Sequence, residues 1–174
     1  MAFYVIPQVI NHALGLISYD VMEGMRLGMK EIWGPPIGEL VLLLAFLIHF
    51  LLSLFALYCQ SSLRIPLWEA LQIGLGILIF PMILIHVIGT AIAGQIIGFD
   101  TTYEYLISVL WIAKPMRGAQ QSLMLLIVWA HLWVGLHFWL RLKDWYQNWL
   151  IVIYAFVVVT PILSLLGLPV SAGN

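Results

Sequence analysis

Residues 40–58 read Leu-Val-Leu-Leu-Leu-Ala-Phe-Leu-Ile-His-Phe-Leu-Leu-Ser-Leu-Phe-Ala-Leu-Tyr, a run with no Asp, Glu, Lys or Arg and a single imidazole, His49. A helix needs roughly 20 apolar residues to cross the hydrocarbon of a bilayer. This stretch has that length, because the charge-free run continues to residue 63. Outward from it the pattern repeats, with no Asp, Glu, Lys or Arg in 1–19, 70–99, 118–140 or 145–174. The charges gather between the runs: Asp20, Glu23, Arg26, Lys30, Glu31 and Glu39; Arg64 and Glu69; Asp100, Glu104, Lys114 and Arg117; Arg141, Lys143 and Asp144. Only 9% of the chain is charged, against ~25% in soluble domains, so most of its surface cannot face water. Lipid offers no partner to an open backbone, and the polar–apolar alternation of a membrane barrel is absent, so the runs are expected to be helical. The fold class follows: an all-α integral membrane protein with about five transmembrane helices.

Helix 1 is expected over about 2–18, with Pro7 near its start, where proline is tolerated. Residues 19–33 place Met22, Met25, Met29 and Ile32 at three- and four-residue spacing, with Glu23, Arg26 and Lys30 between them and Trp33 at the end. That pattern predicts an amphipathic helix in the membrane interface. Gly34-Pro35-Pro36 breaks the chain. Helix 2 is expected over about 38–60, ending in Gln60-Ser61-Ser62, and helix 3 over about 67–97, kinked at Pro81. Residues 103–113 are apolar but too few to span, and read as a short interfacial or re-entrant piece. Helices 4 and 5 follow over about 118–142 and 148–168. Residues 1–174 form one domain. The N-terminal run lacks the basic start of a signal peptide and is expected to be retained. The basic residues of the two sets of loops differ by one, which leaves sidedness open. A net charge of −1 in scattered clusters gives no basic stripe for nucleic acid. The one cysteine, Cys59, can form neither an internal disulfide nor a covalent haem attachment.

Ionisable side chains are costly inside a bilayer, and their presence there points to function. His12, His49, His86, His131 and His137 all fall within predicted spans, at least one in each of helices 1 to 4 and none in helix 5. Four helices each supplying an inward imidazole match the requirement of two bis-histidine haems in a four-helix bundle. Neutral imidazole is a good iron ligand, and burial favours that form. Counting at ~1.5 Å per residue places His12 roughly 9 Å deep and His86 roughly 12 Å, with His49 and His131 at roughly 15 Å. The expected pairs are His12 with His86, shallower, and His49 with His131, deeper, a few ångströms apart. A porphyrin also favours small residues one turn from its ligand. Gly15 follows His12, Ser53 follows His49, Gly89 and Thr90 follow His86, and Gly135 follows His131. His137 has Leu140 and Arg141 instead and points elsewhere, so it is the alternate ligand, placed near a propionate or a quinone. The opposing account is that membrane histidines bridge neighbouring helices and bind no metal.

The segment His131-Leu-Trp-Val-Gly135-Leu-His137-Phe-Trp-Leu-Arg141 resembles the histidine-bearing helix of succinate dehydrogenase and fumarate reductase membrane subunits. In that pattern the first histidine of His-x-x-x-Gly is the haem ligand, which implies His131 over His137. Asn11-His12-Ala-Leu-Gly15-Leu, Trp68-Glu69-Ala-Leu-Gln72, His86-Val-Ile-Gly89-Thr90, and Trp129-Ala-His131 through Leu140-Arg141-Leu together resemble the cytochrome-b-type membrane anchor of bacterial class III adenylate cyclases. That family is similar in fold to the fumarate reductase anchor. The resemblance implies redox or quinone sensing in the bacterial inner membrane, with a cyclase domain following the last helix. This sequence ends at Asn174 without one, so the expectation is a truncated anchor, or a subunit whose catalytic partner is another chain.

Three functions follow as expectations. The first is a di-haem b-type cytochrome carrying electrons between membrane quinone and a partner protein, with no catalytic residues of its own. Its cofactors are two haem b groups, with quinone as a further ligand. Arg26, Arg64, Lys114, Arg117 and Arg141 are the candidates for holding propionates, and Tyr103, Trp111, Arg117 and Gln120 for a quinone. The second is a redox- or quinone-sensing anchor of a cyclase. The third is a haem-free structural or transport protein.

Overall fold

The computed structural model describes residues 1–60, 65–89, 96, 98 and 102–170. Its elements in chain order are α1 (Ala2–Leu14), α2 (Tyr19–Trp33), α3 (Pro36–Tyr58), α4 (Leu67–Val87), α5 (Tyr103–Ile107), a π-helical segment (Ser108–Ala113), α6 (Pro115–Leu140), α7 (Asp144–Asn148) and α8 (Leu150–Val170). Among the described residues, four helices are long and apolar enough to cross a membrane: Pro36–Tyr58, Leu67–Val87, Pro115–Leu140 and Leu150–Leu168. The expected fifth span is shorter. α1 has 13 residues, about 20 Å of rise, against a hydrocarbon core of about 30 Å.

α1 stops at Leu14 although apolar residues continue through Leu16 and Ile17. The amides of Gly15, Leu16 and Ile17 turn back to the carbonyls three residues earlier, at 3.3, 3.1 and 2.9 Å, which tightens the last turn and closes the helix. Ser18 then caps α2, its hydroxyl accepting from the Val21 amide at 3.2 Å, as an N-cap serine should. Proline opens α3 at Pro36 and α6 at Pro115, where its missing N–H costs nothing. α4 runs through Pro81 without a break. Thr90, Arg64, Asp100, the Ser61-Ser62 turn and the expected end of helix 3 lie outside the described residues.

α2 is helical where the methionine spacing predicts it, and it folds back along α1. At one end Met22 packs against Leu14, and at the other the Tyr4 and Trp33 rings meet edge to face with centroids 5.9 Å apart. Met22 is fully buried, under Tyr103 and Ile107 of α5. The short 103–113 piece therefore covers the α1–α2 turn.

The long helices pack as two pairs. α4 lies antiparallel on α6: Gln72 meets His131 and Gly135, while His86 meets Gln121 at the other end. α8 packs chiefly on α1, and also on α6, where Trp129 Nε1 donates to the Val157 carbonyl at 2.8 Å. The bundle expected from the first four spans thus includes the last helix as α1's main partner. α3 is the outlier, with no buried residue. Phe46 and Phe50 stack on Phe80 of α4, with centroids 6.0 and 4.3 Å away.

Replacing Met22 by alanine removes the side chain that joins α1, α2 and α5. The expected cost is about 2–5 kcal/mol, seen as a lowered thermal unfolding midpoint in detergent. Met29→Ala on the same helix is expected to have a much smaller effect.

Candidate functional site

His131 is the best-defined imidazole. Its Nδ1 lies 3.2 Å from the backbone carbonyl of Gln72 on α4. A carbonyl oxygen can only accept, so Nδ1 carries the proton and the lone pair resides on Nε2. Nε2 has no hydrogen-bond partner among the described residues. That is the tautomer and second contact expected of a metal-ligating histidine. The approach depends on Gly76, one turn beyond Gln72 on α4. A Cβ there would lie 3.2 Å from His131 Cε1 and 3.7 Å from Nδ1, so a side chain would crowd the ring.

His49 on α3 is the neighbouring ring, 6.1 Å from His131 between centroids, with planes at 81°. Two imidazoles bound to one metal ion at about 2 Å each put their centroids about 6 Å apart. The spacing fits that donor pair. Phe46, Phe50 and Ile73 help to line the cleft between the rings, which encloses about 150 Å³. Pockets for drug-sized ligands start at about 300 Å³, so a macrocycle seated there requires α3 to stand further from α4. Ser53, the small residue after His49, uses its hydroxyl on its own helix, donating to the His49 carbonyl at 2.8 Å.

The second level lies toward α5. His86 Nδ1 is 3.2 Å from Gln121 Oε1 on α6. His12 Nδ1 is 3.1 Å from the Tyr103 hydroxyl, which also accepts from Asn11 Nδ2 at 2.9 Å. Residue counting expects the pairs His12 with His86 and His49 with His131; the structure sets the His49 ring beside His131 and gives His12 and His86 separate partners, Tyr103 and Gln121. The levels are further apart than that counting gives. Gln121 and His131 are separated by ten residues of α6, about 15 Å of rise. The expected few ångströms came from counting His131 inward from Gln121 and placing His86 roughly 12 Å deep; His86 instead meets Gln121 itself.

The small residues chosen by offset serve other contacts. Gly15 faces the backbone of Gly167 on α8, and a Cβ at Gly135 would lie 2.9 Å from Gln72 Nε2. Gly89 has open space around its Cβ position. Arg117 is exposed and donates from Nη1 to Gln120 Oε1 at 3.2 Å. Tyr103 is buried beside His12, while Trp111 packs near it and against Gly118. Arg26 is ion-paired with Glu23 at 2.5 Å. Lys114 and Arg141 are exposed, the latter 5.3 Å over the Phe138 ring. His137 stands apart from both pairs, with Nδ1 3.0 Å from the Tyr146 hydroxyl. Gln72, Gly76, Gln121 and Asn11 are the residues that sequence reasoning did not place in the site. Gln72 and Asn11 stand in segments that carry the family resemblance, but nothing local marks their roles.

Outside the spans, protonation is displaced at Glu23 and Tyr103 among others. The hydrogen bond from the Arg26 side chain holds the Glu23 carboxyl below the usual carboxylate range, and burial pushes the Tyr103 phenol above its ordinary value. Among the described residues no three His, Cys, Asp or Glu side chains converge. No family model, curated protein or solved structure matches the chain.

Asn11 is fully buried with its Oδ1 unpartnered, so its amide depends on Tyr103. Tyr103→Phe is expected to cost about 1–3 kcal/mol, and adding Asn11→Leu to recover part of it, in urea or thermal unfolding. Because the Glu23 carboxyl is depressed in the folded state, its contribution is full above pH ~4.3. It is lost as pH falls through the folded value. Glu23→Gln should flatten the decline in unfolding midpoint between about pH 6 and pH 3.

Proposed function

We propose that this chain is a di-haem b-type cytochrome subunit of a bacterial cytoplasmic membrane, carrying electrons between quinone and a partner protein. One observation carries the reading. The His49 and His131 rings lie edge to face with centroids 6.1 Å apart, while the His131 Nδ1–H is held by the Gln72 carbonyl. A histidine that only bridged helices would have done its work with that one bond. The resemblance of four segments to cytochrome-b-type cyclase anchors supports the same conclusion.

His12 and His86 would hold one haem, and His49 and His131 the other. Bis-histidine ligation would supply a one-electron couple with both axial positions filled, which suits outer-sphere transfer and disfavours oxygen binding. The protein's own contribution is positional. Gln72 fixes the His131 tautomer, and Gln121 and Tyr103 orient His86 and His12. Phe46, Phe50 and Phe80 form an apolar wall beside His49 that keeps water out.

Reduced-minus-oxidised spectra of the purified chain are expected to show a b-type band at two haems per chain. His131→Ala and His86→Ala should each lose one, and His137→Ala neither. A purified, folded chain lacking that band, or losing nothing on His131→Ala, would falsify the proposal.

A further inference from the structure

We propose that α8, which carries no histidine, positions His12 through Ser164 and Gly167; the inference rests on the di-haem reading. α1 has 13 residues, too few to fix its depth by crossing a bilayer, and His12 lies in its last turn. Its register must come from a neighbour. Ser164 Oγ, fully buried, lies 2.6 Å from the Val9 carbonyl and 2.8 Å from the Thr160 carbonyl of its own helix, so its one proton is shared between the two helices. One turn further along both helices, Gly167 abuts His12 itself: a Cβ on Gly167 would run into the His12 carbonyl oxygen. Gly15 meets the Gly167 backbone from the other side of the seam.

Val9 to His12 and Ser164 to Gly167 are both steps of three residues. The helices are therefore parallel and matched, with contacts at two successive turns. Such a seam admits neither sliding nor rotation without losing the Ser164 bond or closing on the Gly167 backbone. α8 is fixed in turn to α6 by the Trp129–Val157 hydrogen bond. α6 also carries Gln121, the partner of His86. The two histidines of this level are thus referenced to one α6–α8 frame. The other level is built from α3, α4 and α6, away from the seam.

Haem-to-protein ratio and low-spin haem resonances of the full-length purified chain test this. Gly167→Ala is expected to lower the ratio from two to one, with the His49/His131 signal unchanged. Combining it with His12→Ala should remove nothing more, and combining it with His131→Ala should leave the chain without haem. Ser164→Ala, which removes the bond without adding bulk, should shift the potential of one haem only. Retention of two unaltered haems in both single variants overturns the α8 assignment alone, as does equal loss of both haems. A wild-type chain without haem overturns this inference together with the function it rests on.

Discussion

A neutral imidazole among apolar helices has two nitrogens to satisfy, and the carbonyl of Gln72 satisfies only one of His131's. The rest of the arrangement depends on that bond. It requires α4 and α6 to approach closely, which Gly76 permits by having no side chain beneath the ring. It also sets the vertical register of the two helices, and the same register brings His86 to Gln121 at their other end. α4 and α6 therefore form a spine with an imidazole held across it at two heights. α3 brings a second ring, His49, to the height of His131.

α3 and α1 are held very differently. No residue of α3 is buried, and lipid is as apolar as the side chains it would face, so the hydrophobic effect does not drive α3 onto α4. Among the described residues, α3 is held by the stacking of Phe46 and Phe50 on Phe80 and by the approach of His49 to His131. α1 is locked instead to α8 at two successive turns and covered by α2 and α5.

Much of this was legible in the sequence because the bilayer is a severe solvent. Charge-free runs long enough to cross it must be helical, and all four observed candidate spans coincide with such runs. Residue counting along neighbouring helices puts His49 and His131 at one depth, and their rings lie 6.1 Å apart. Offsets along one helix carry less information. Gly15 and Gly135 sit one turn from a histidine and look like room for a porphyrin, yet each faces another helix. The glycine that does make room for His131 is on a different element, and only the α4–α6 register reveals it. Helix 1 was read too long because hydropathy cannot distinguish an apolar helix from an apolar turn, and Gly15-Leu16-Ile17 is the latter.

On the proposed electron-carrier reading, the separation of the two levels sets the reach across the bilayer. Levels a few ångströms apart would place both cofactors in one layer, and a second cofactor would add little reach. About 15 Å along α6 is half the hydrocarbon thickness. On the electron-carrier reading, one level serves the bilayer half nearer α5 and the other the half toward the start of α4. Gln121 and Gln72 mark those two levels. The spine that fixes the His131 proton then also sets the distance over which charge must pass.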